Sequence, residues 1–375
     1  MKKSIALVLT AGLLLSCSFH SNDGEPQQDK ETITQEQPQE TQKPETQTPA
    51  TVLGVKNNRL VDIYGKPVVV RGYEMTMILW FETPGSIAEN IEMTLDTMTD
   101  NMIATGANAV RFLFPAGLRD GLTLEKIDHY IGKMATNHVI VYLSIFGERR
   151  SELDADGNSV EYDYYDSPAF FGNPDIKKIL DKYSQWLVLD ASQECDFDDR
   201  ERWERVSKEK IKEFRSYGYT CPLTVMSNTY GRDLPALLSE RAQRIVDSDP
   251  LKSIIFGWQA YWGDYTNRDT GDTSNWYEYY YQMSLEEGIR QAALAPYPIQ
   301  IGLDYLADAE SYVDYRSAMK IAEETGMGWL WWNWYPVWGG NNLSNDGSLE
   351  SLTDFGREVI YTDENSVQNT AIKAN

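Results

Sequence analysis

Positive charge, cysteine and long apolar segments are all scarce in this chain of 375 residues. Lysine and arginine total 34 against 57 acidic residues, which gives a formal net charge of -23. Nucleic-acid binding needs clusters of Lys and Arg to neutralise phosphates, so this balance argues against a nucleic-acid partner. We attribute the acidity to surface solubility, which leaves the binding of an uncharged ligand unaffected.

Only three cysteines occur, at Cys17, Cys195 and Cys221. Cys195 follows the end of one predicted strand and Cys221 precedes the start of the next, which places them at opposite ends of a parallel sheet. A disulfide requires Cα atoms within about 7 Å of each other. The sequence therefore predicts two free thiols in the folded domain.

No motif for a metal ion or a cofactor is present. The loop of residues 147–172 contains the acidic run Asp154-Ala-Asp-Gly157, which invites a calcium interpretation. Counted from Asp154, however, the glycine falls at position four instead of six, and position twelve is Tyr165. The loop thus fails the EF-hand pattern, and we predict no cofactor and no bound metal.

The single strongly apolar run lies at the N-terminus, where Met1-Lys2-Lys3 precedes apolar residues up to Leu15. This run is too short to remain as a membrane-spanning helix. It ends in Leu14-Leu15-Ser16-Cys17, which resembles the bacterial lipoprotein cleavage box; the alternative is an ordinary secretory signal that contains a cysteine. We expect residues 1–17 to be a lipoprotein signal and Cys17 to be lipidated, with export to the cell envelope and anchoring in the outer membrane.

Residues 18–50 consist largely of Gln, Glu, Thr, Pro and Lys and have few apolar side chains. Such a segment cannot bury enough surface to offset the entropy of ordering, so we predict a disordered polar linker. Residues 51–375 are rich enough in apolar and aromatic residues to form one large domain. We expect this domain to be a monomer.

Within that domain, short apolar runs alternate with segments of helical period, a pattern typical of parallel strands joined by crossover helices. Eight such units favour an α/β fold of the (β/α)8 TIM-barrel type over a doubly wound sheet. The segment 59–70 predicts a β-hairpin that turns at Gly65-Lys66 and covers the barrel floor. The predicted barrel strands are 68–72, 109–113, 139–144, 186–191, 223–227, 253–257, 299–303 and 328–334.

The C-terminal ends of these strands, where TIM barrels place their sites, carry a mixture of polar and aromatic side chains. Aromatic rings stack on the apolar face of a sugar ring, and carboxamides, arginine and carboxylates bond its hydroxyls. Trp329 and Trp331 should face the other way and pack in the core. The residues that predict a sugar-binding cleft are Arg111, Glu194, Asn228, Gln259, Tyr261, Asp304, Trp332 and Trp334.

The order and spacing of several motifs resemble glycoside hydrolase family 5, nearest to its bacterial β-mannanases and endoglucanases, over residues 53–373. Each motif is weakly specific, and together they are strong evidence for the fold. They are Leu60-Val-Asp62 with Gly65-Lys-Pro-Val-Val-Val-Arg-Gly72, Thr105-Gly-Ala-Asn-Ala-Val-Arg111, Asp249-Pro-Leu251, Phe256-Gly-Trp-Gln-Ala-Tyr261, Gly326-Met-Gly-Trp-Leu-Trp-Trp-Asn-Trp334 and Leu352-Thr-Asp-Phe-Gly356.

The resemblance implies a role for each matching residue. Glu194 would be the catalytic acid/base, and Gln193 would replace the asparagine that precedes it in the family. Arg111 would be the arginine near the nucleophile, Tyr261 the sixth-strand tyrosine and Trp332 the platform for a sugar ring.

Departures from the family pattern are equally informative. The three histidines, His20, His129 and His138, lie away from the family's cleft positions, which are taken by Ser144 to Phe146 and by Gln259. Where the family has Gly-Glu-Phe on the seventh strand, this chain has Gly302-Leu-Asp304. We expect Asp304 to act as the nucleophile only if a local register shift turns it into the cleft, since successive strand residues face opposite ways.

Two functions follow as alternatives. The first is a surface lipoprotein that binds β-linked polysaccharide of the mannan or glucan type with weak or no hydrolysis, because several groups that act together in catalysis are missing. The second is an active endo-acting glycoside hydrolase with Glu194 as acid/base and a non-standard second carboxylate, either Asp304 or a loop acid such as Asp264 that holds a water. The sequence favours binding over cleavage. An enzyme for an unusual linkage with a rebuilt site is a third possibility.

Overall fold

The computed structural model describes residues 51–77, 95–115, 118, 122–146, 148–153, 159–166, 168–197, 199–260, 264–266, 273–275, 283–304, 314–336 and 342–374. It describes the backbone alone for residues 146, 148–153, 159–166, 168, 169, 193, 194, 264–266, 273–275, 303 and 304. The predicted signal peptide and linker lie outside these ranges. The described residues all belong to one compact unit.

Eight parallel strands close into a barrel, which confirms the predicted fold class. The closing pair is formed by the strands Ile140–Phe146 and Leu187–Asp196, between which Tyr142 is in register with Val188. In barrel order the strands are β3 (Arg71–Thr76), β4 (Ala109–Pro115), β5 (Ile140–Phe146), β8 (Leu187–Asp196), β9 (Leu223–Met226), β10 (Ile254–Gln259), β13 (Ile299–Asp304) and β14 (Gly328–Trp332).

The first two strands, β1 (Gly54–Lys56) and β2 (Arg59–Val61), form an antiparallel hairpin at the barrel floor. Its tight turn lies at Asn57 and Asn58, with φ of 50° and 59°, a left-handed pair typical of two-residue hairpins. The predicted turn at Gly65 also exists and leads to a bridge between Val61 and Pro67. The sequence prediction therefore located the second turn and missed the first.

Alternation along the strands divides the apolar side chains into two cores. The inner core fills the lower barrel and includes Val188, together with Leu53 and Leu60 from the floor segment. The outer core lies between the strands and the surrounding helices and includes Leu187 and Leu189. Trp329 and Trp331 are fully buried in the outer core, as predicted.

Helices cover the outside of the barrel, and most begin at a side-chain cap such as Asp199, which accepts from the backbone N–H of Arg202. The described helices are α1 (Leu95–Ala104), α2 (Leu124–Thr136), α3 (Pro168–Phe171), α4 (Pro174–Lys182), α5 (Arg200–Ser216), α6 (Asn228–Gly231), α7 (Leu234–Leu237), α8 (Glu240–Ser248), α9 (Leu285–Ala293), α10 (Tyr315–Thr325), α11 (Asp354–Arg357) and α12 (Val367–Thr370). A 3-10 turn (Ser184–Trp186) and a π-helical turn (Glu358–Thr362) complete the set.

Two further hairpins lie on the C-terminal side of the strands. The first joins β6 (Glu148–Leu153) to β7 (Ser159–Asp166), and β7 pairs with the end of β8 through Tyr165 and Gln193. The second joins β11 (Asp264–Thr266) to β12 (Thr273–Asn275). Cys195 and Cys221 are both buried free thiols, as predicted. In the part of the chain that the structure describes, no helix has the length and apolar character needed to cross a membrane.

Candidate functional site

A network of charged side chains occupies the barrel interior around Arg111. Arg111 Nε donates to Ser144 Oγ at 2.7 Å, and Arg111 Nη2 donates to Asp190 Oδ2 at 2.5 Å. Its third nitrogen, Nη1, lies 3.3 Å from Glu74 Oε1 and 3.5 Å from Glu74 Oε2. Ser144 Oγ also donates to Asp190 Oδ2 at 2.6 Å. Four consecutive barrel strands, β3, β4, β5 and β8, each supply one member of the network.

Strand register explains why these four residues meet. Glu74 is the direct partner of Arg111 across the β3–β4 ladder. Arg111 is in register with Tyr142, which in turn is in register with Val188. Because barrel strands tilt and stagger, the arginine reaches the residues two positions further along β5 and β8, which are Ser144 and Asp190.

The two carboxylates of the network differ in exposure. The side chain of Asp190 is 3% exposed and that of Arg111 is 7% exposed, whereas that of Glu74 is 13% exposed. Burial raises the pKa of Asp190, while the charge of Arg111 and the hydrogen bonds from Ser144 and Arg111 act in the opposite direction. Asp190 is thus sealed inside the protein, and Glu74 is the carboxylate of the pair that solvent can reach.

A small cavity of about 20 Å³ lies beside the network, enough for about one water molecule. Glu74 and Arg111 line part of its wall, and on the far side the side chains of Met226 and Gln259 lie against Gly257 and Gly302. Glu74 Oε1 lies 3.7 Å from the point where a Cβ of residue 302 would be. The Glu74 carboxylate therefore reaches across the barrel interior towards β13.

Trp332, the predicted sugar platform, is the last residue of β14. Its ring is partly exposed, and its Nε1 donates to Thr76 Oγ1 at 3.4 Å. A cis peptide bond joins Trp332 to Asn333. Thr76 ends β3, so the indole lies at the C-terminal end of the barrel, where the sequence analysis predicted a cleft.

The prediction that Trp334 also lines the cleft is wrong. Trp334 is fully buried in the outer core, where its ring packs 5.0 Å from that of Tyr73 and its Nε1 donates to the carbonyl oxygen of Gly347 at 3.0 Å. The prediction relied on strand alternation continuing from Trp332. The strand ends at Trp332, so alternation does not extend to Trp334.

The side chain of Asn228 bonds to the protein backbone, although the sequence predicted that it binds a ligand. Its Oδ1 accepts from the backbone N–H of Phe197 at 2.8 Å, and its Nδ2 donates to the carbonyl oxygen of Phe197 at 3.1 Å. The side chain is buried and tethers the segment after β8. β9 ends at Met226, and Thr229 and Tyr230 adopt positive φ directly after Asn228, so the residue lies in a turn beyond the strand.

Gln259, the last residue of β10, is buried on the interior side of the barrel. Cβ atoms built on Gly231 and Gly302 would lie 3.0 Å and 3.5 Å from its side chain. Gln259 thus approaches the same point of β13 as Glu74 does, which places this predicted site residue beside the charged network.

The remaining predicted site residues are described only in part. Gln193 and Glu194 lie in the last four residues of β8, after an irregularity in its pairing with β9 between Asp190 and Ser192. Asp264 begins β11, and Tyr261 lies outside the described residues. The roles assigned to these four residues stay predictions.

On β13, the alternation of inward-facing and outward-facing positions differs from the one we expected. Gln300, Ile301 and Gly302 all border the interior cavity, and the Ile301 side chain belongs to the outer core. Register with β14 is continuous from Gln300 to Asp304, which pairs with Trp332. Asp304 therefore has the same strand parity as Gln300 and Gly302, and its role stays a prediction because the structure describes only its backbone.

Sequence analysis missed Glu74 and Asp190 as members of the interior network, and it placed Ser144 at a cleft position without identifying its partners. The first predicted strand ended at Gly72, which left Glu74 outside it, whereas β3 continues to Thr76. Asp190 lay within a predicted buried strand, and a carboxylate in such a strand is seldom buried without a charged partner. That signal could have linked Asp190 to Arg111. In the described part of the chain, no group of three or more His, Cys, Asp or Glu side chains could hold a metal ion.

No protein-family model matches the chain. A mannan endo-1,4-β-mannosidase of Cellvibrio japonicus is 24% identical over 282 residues, which are 72% of this chain and 59% of that protein. A mannan endo-1,4-β-mannosidase of Salipaludibacillus agaradhaerens is 24% identical over 319 residues, 82% of this chain and 90% of that protein. The solved structure of a β-mannanase from Streptomyces thermolilacinus with mannohexaose has a TM-score of 0.66 at 18% identity and covers 87% of this chain and 98% of its own.

The fold is a (β/α)8 barrel, and the solved structures similar to it include β-mannanases. The chain is similar to mannanases and endoglucanases of family 5, which confirms the resemblance that its motifs predicted.

Proposed function

We propose that the protein binds β-linked polysaccharide of the mannan or glucan type at the C-terminal end of the barrel and hydrolyses its internal bonds. Relatives named as mannan endo-1,4-β-mannosidases and a barrel of the same fold solved with mannohexaose support this substrate class. The partly exposed Trp332 supports the position of the cleft, because a half-buried indole at the strand ends offers a face for a sugar ring.

The charged interior below Trp332 is the observation that carries the proposal. Replacing buried ion pairs by well-packed apolar residues is often neutral or stabilising, so stability alone does not account for Arg111 between Asp190 and Glu74. A protein that only bound an uncharged glycan would gain little from this arrangement. Hydrolysis, in contrast, needs fixed carboxylates near the sugar.

The sequence favoured binding without cleavage because it offered Glu194 and no clear second carboxylate. Two observations now favour cleavage. Glu74 brings a carboxylate into the barrel interior, and Asp304 lies on β13 with the parity of the interior-facing Gly302. The alternative, a glycan-binding protein without activity, is the outcome that the following experiment would reveal.

Incubating the purified chain with β-mannan and β-glucan panels tests the proposal, with reducing ends and product lengths as the readout. We expect mid-chain cleavage of at least one polymer. We expect Glu194→Gln to lower the rate by about 10²–10⁴-fold, the usual contribution of a general acid, and to keep affinity for the polymer. Binding without any product from the wild-type chain would contradict cleavage, and absence of both binding and product would contradict the whole proposal.

We also propose that the protein is exported and held at the bacterial cell envelope through a lipid on Cys17, with residues 18–50 as a flexible spacer. The N-terminal sequence supports this location, since a charged start, an apolar run and the Leu-Leu-Ser-Cys ending occur in the order that lipoprotein signals use.

A further inference from the structure

We propose that the barrel floor holds a second binding site, for one uncharged, polyhydroxylated molecule about the size of a monosaccharide. The site is a cavity of about 180 Å³ at the end of the barrel opposite to Trp332. It lies outside the proposed cleft and does not depend on the proposed hydrolysis. A monosaccharide would reach it without displacing a polysaccharide from the strand ends.

This floor cavity lies between the floor hairpin and the starts of three neighbouring strands. Ile255, Ile299 and Gly328 line it, and they are at or next to the first residues of β10, β13 and β14. The exposed turn residues Asn57 and Asn58 also line it, so the cavity opens to solvent beside the hairpin turn. A small molecule can thus enter without a change in the barrel.

Hydrogen bonds fix the wall of the floor cavity near its mouth. Arg59 lines the cavity and donates through Nη2 to the carbonyl oxygen of Thr325 at 3.0 Å and through Nη1 to that of Gly326. These two carbonyl groups lie at the C-terminal end of α10, where a positive charge also interacts favourably with the helix dipole. The floor hairpin is therefore tied to α10, and the cavity exists before a ligand binds.

Two buried polar side chains in the wall lack the partners that buried groups normally have. Tyr142 is 3% exposed, and its hydroxyl has no hydrogen-bond partner among the described residues. Gln300 is 7% exposed; its Nε2 donates to the carbonyl oxygen of Ile301 at 3.1 Å, and its Oε1 has no partner in the described part of the chain. Because unpaired buried polar groups destabilise a fold, both side chains point to an occupant that supplies the missing bonds.

The size and composition of the wall indicate the class of occupant. One water molecule takes about 30 Å³, so the floor cavity is several times larger than a single water needs. Its wall combines the apolar side chains of Val68, Val70 and Ile255 with the Tyr142 hydroxyl and the Gln300 amide. A sugar offers both kinds of surface that such a wall can contact, namely apolar C–H groups and hydroxyls that donate and accept hydrogen bonds.

The charges of the wall favour an uncharged ligand. Among the described residues, no aspartate or glutamate lines the floor cavity, so a cation would find no counter-charge there. Arg59 is the one charged residue in this described wall, and its Nη groups already donate to the carbonyl oxygens of Thr325 and Gly326. An anion would have to compete with these carbonyl groups for the guanidinium.

Tyr142 and Gln300 also link the floor cavity to the charged network. Both residues line the cavity of about 20 Å³ beside Glu74 and Arg111 as well as the floor cavity. Tyr142 is the direct partner of Arg111 across the β4–β5 ladder. A molecule bound at the floor would therefore contact two residues that border the interior network.

Titration of the full-length chain with D-mannose and D-glucose, followed by saturation-transfer NMR, tests the inference. We expect saturable binding to the wild type and, with equal affinity, to Trp332→Ala, which lacks the platform of the proposed cleft. Tyr142→Phe removes one hydroxyl and keeps the ring, so we expect binding to weaken by about 2–10-fold, the contribution of one hydrogen bond. Val68→Phe would fill part of the floor cavity and should weaken binding further.

Tyr73→Phe is the matched control. Tyr73 is a buried tyrosine of β3 in the outer core, and it lines neither the floor cavity nor the cavity beside Glu74. This variant makes the same chemical change away from the site, so we expect it to bind both sugars with the affinity of the wild type. Thermal unfolding of each variant would show that it folds.

Three results would overturn the floor site. They are no saturable binding of either sugar to the wild type, equal affinity in Tyr142→Phe and Tyr73→Phe, and loss of binding in Trp332→Ala, which would place the sugar in the cleft. Tighter binding of D-glucuronate than of D-glucose would overturn the choice of an uncharged ligand. Polysaccharide hydrolysis is measured separately, so a failure of the floor site is distinct from a failure of the proposed function.

Discussion

Burying Arg111 inside the barrel removes its guanidinium from water, and that cost is offset only where acceptors surround the group. Ser144, Asp190 and Glu74 supply these acceptors. The dependence is mutual, because Asp190 is sealed from solvent and relies on Arg111 for a counter-charge. The interior charges should therefore behave as a unit under mutation.

Removing the arginine alone should be strongly destabilising. We expect Arg111→Met to lower the free energy of unfolding by about 3–5 kcal/mol, since it leaves buried carboxylates without a counter-charge. Asp190→Asn should destabilise the wild-type chain and yet stabilise the Arg111→Met variant, because there it removes an uncompensated charge. Urea unfolding of the four chains measures the coupling. Equal effects of Asp190→Asn in both backgrounds would show that the two side chains do not interact.

At the scale of the element, the end of β14 shows how a strand boundary decides the role of a residue. Trp332 is the last residue of the strand and is partly exposed, whereas Trp334, two residues later, is buried against Tyr73. Two tryptophans that look equivalent in the sequence thus differ in exposure, one partly exposed at the strand ends and the other buried in the core. The periodicity of the sequence predicts that the strand exists, but it does not predict which residue is the last of the strand.

This pair provides a matched test. Trp332→Ala should weaken binding of β-mannan oligosaccharides by about 1–3 kcal/mol with little change in stability. Trp334→Ala should lower the free energy of unfolding by about 3–5 kcal/mol, the usual cost of truncating a buried aromatic ring. Calorimetric titration and urea unfolding separate the two effects. A Trp332→Ala chain that binds as well as the wild type would remove Trp332 from the cleft.

A second element-level feature links the C-terminal end of α5 to the starts of β9 and β10. Arg215 Nε and Nη2 donate to the two oxygens of Asp249 at 2.8 and 2.9 Å, and Asp249 also accepts from the backbone N–H of Ser253. Burial by itself would raise the pKa of Asp249, but the hydrogen bonds and charge of Arg215, together with the backbone N–H groups of Ser253 and Leu251, outweigh it and lower that pKa.

The direction of this shift predicts a pH dependence. A carboxyl group whose pKa is lower in the folded than in the unfolded state stabilises the fold above its unfolded pKa, about 3.9, and loses that contribution as pH falls through the folded pKa. We expect Asp249→Asn to cost about 3–5 kcal/mol at pH 7. The difference in the free energy of unfolding between this variant and the wild type should become smaller below about pH 4. Urea unfolding at several pH values measures this difference. A difference that stays constant as the pH falls would show that ionised Asp249 does not stabilise the fold.

At the scale of the whole molecule, the eight alternating units of strand and helix were enough to predict a closed barrel. A closed barrel surrounded by helices buries both faces of all eight strands. The network inside it was harder to predict. Ser144 and Asp190 lie 33 and 79 residues from Arg111 in the chain, and barrel stagger brings them together. Single-strand patterns contain no information on stagger, so Glu74 and Asp190 emerged only from the three-dimensional arrangement.

The location of the whole molecule depends on a single residue of its N-terminal segment. With a lipid on Cys17, the chain should collect in the membrane fraction of a bacterial host and take up radiolabelled palmitate. Stable membrane anchoring takes two acyl signals, since one acyl chain gives only marginal binding. The Cys17→Ser chain would lack the cysteine that carries the lipid. We therefore expect this variant to lose most of the membrane-bound protein. Cys221→Ser is the control, because Cys221 is a buried free thiol inside the barrel domain. Membrane retention and labelling that survive Cys17→Ser would show that the segment is an ordinary secretory signal.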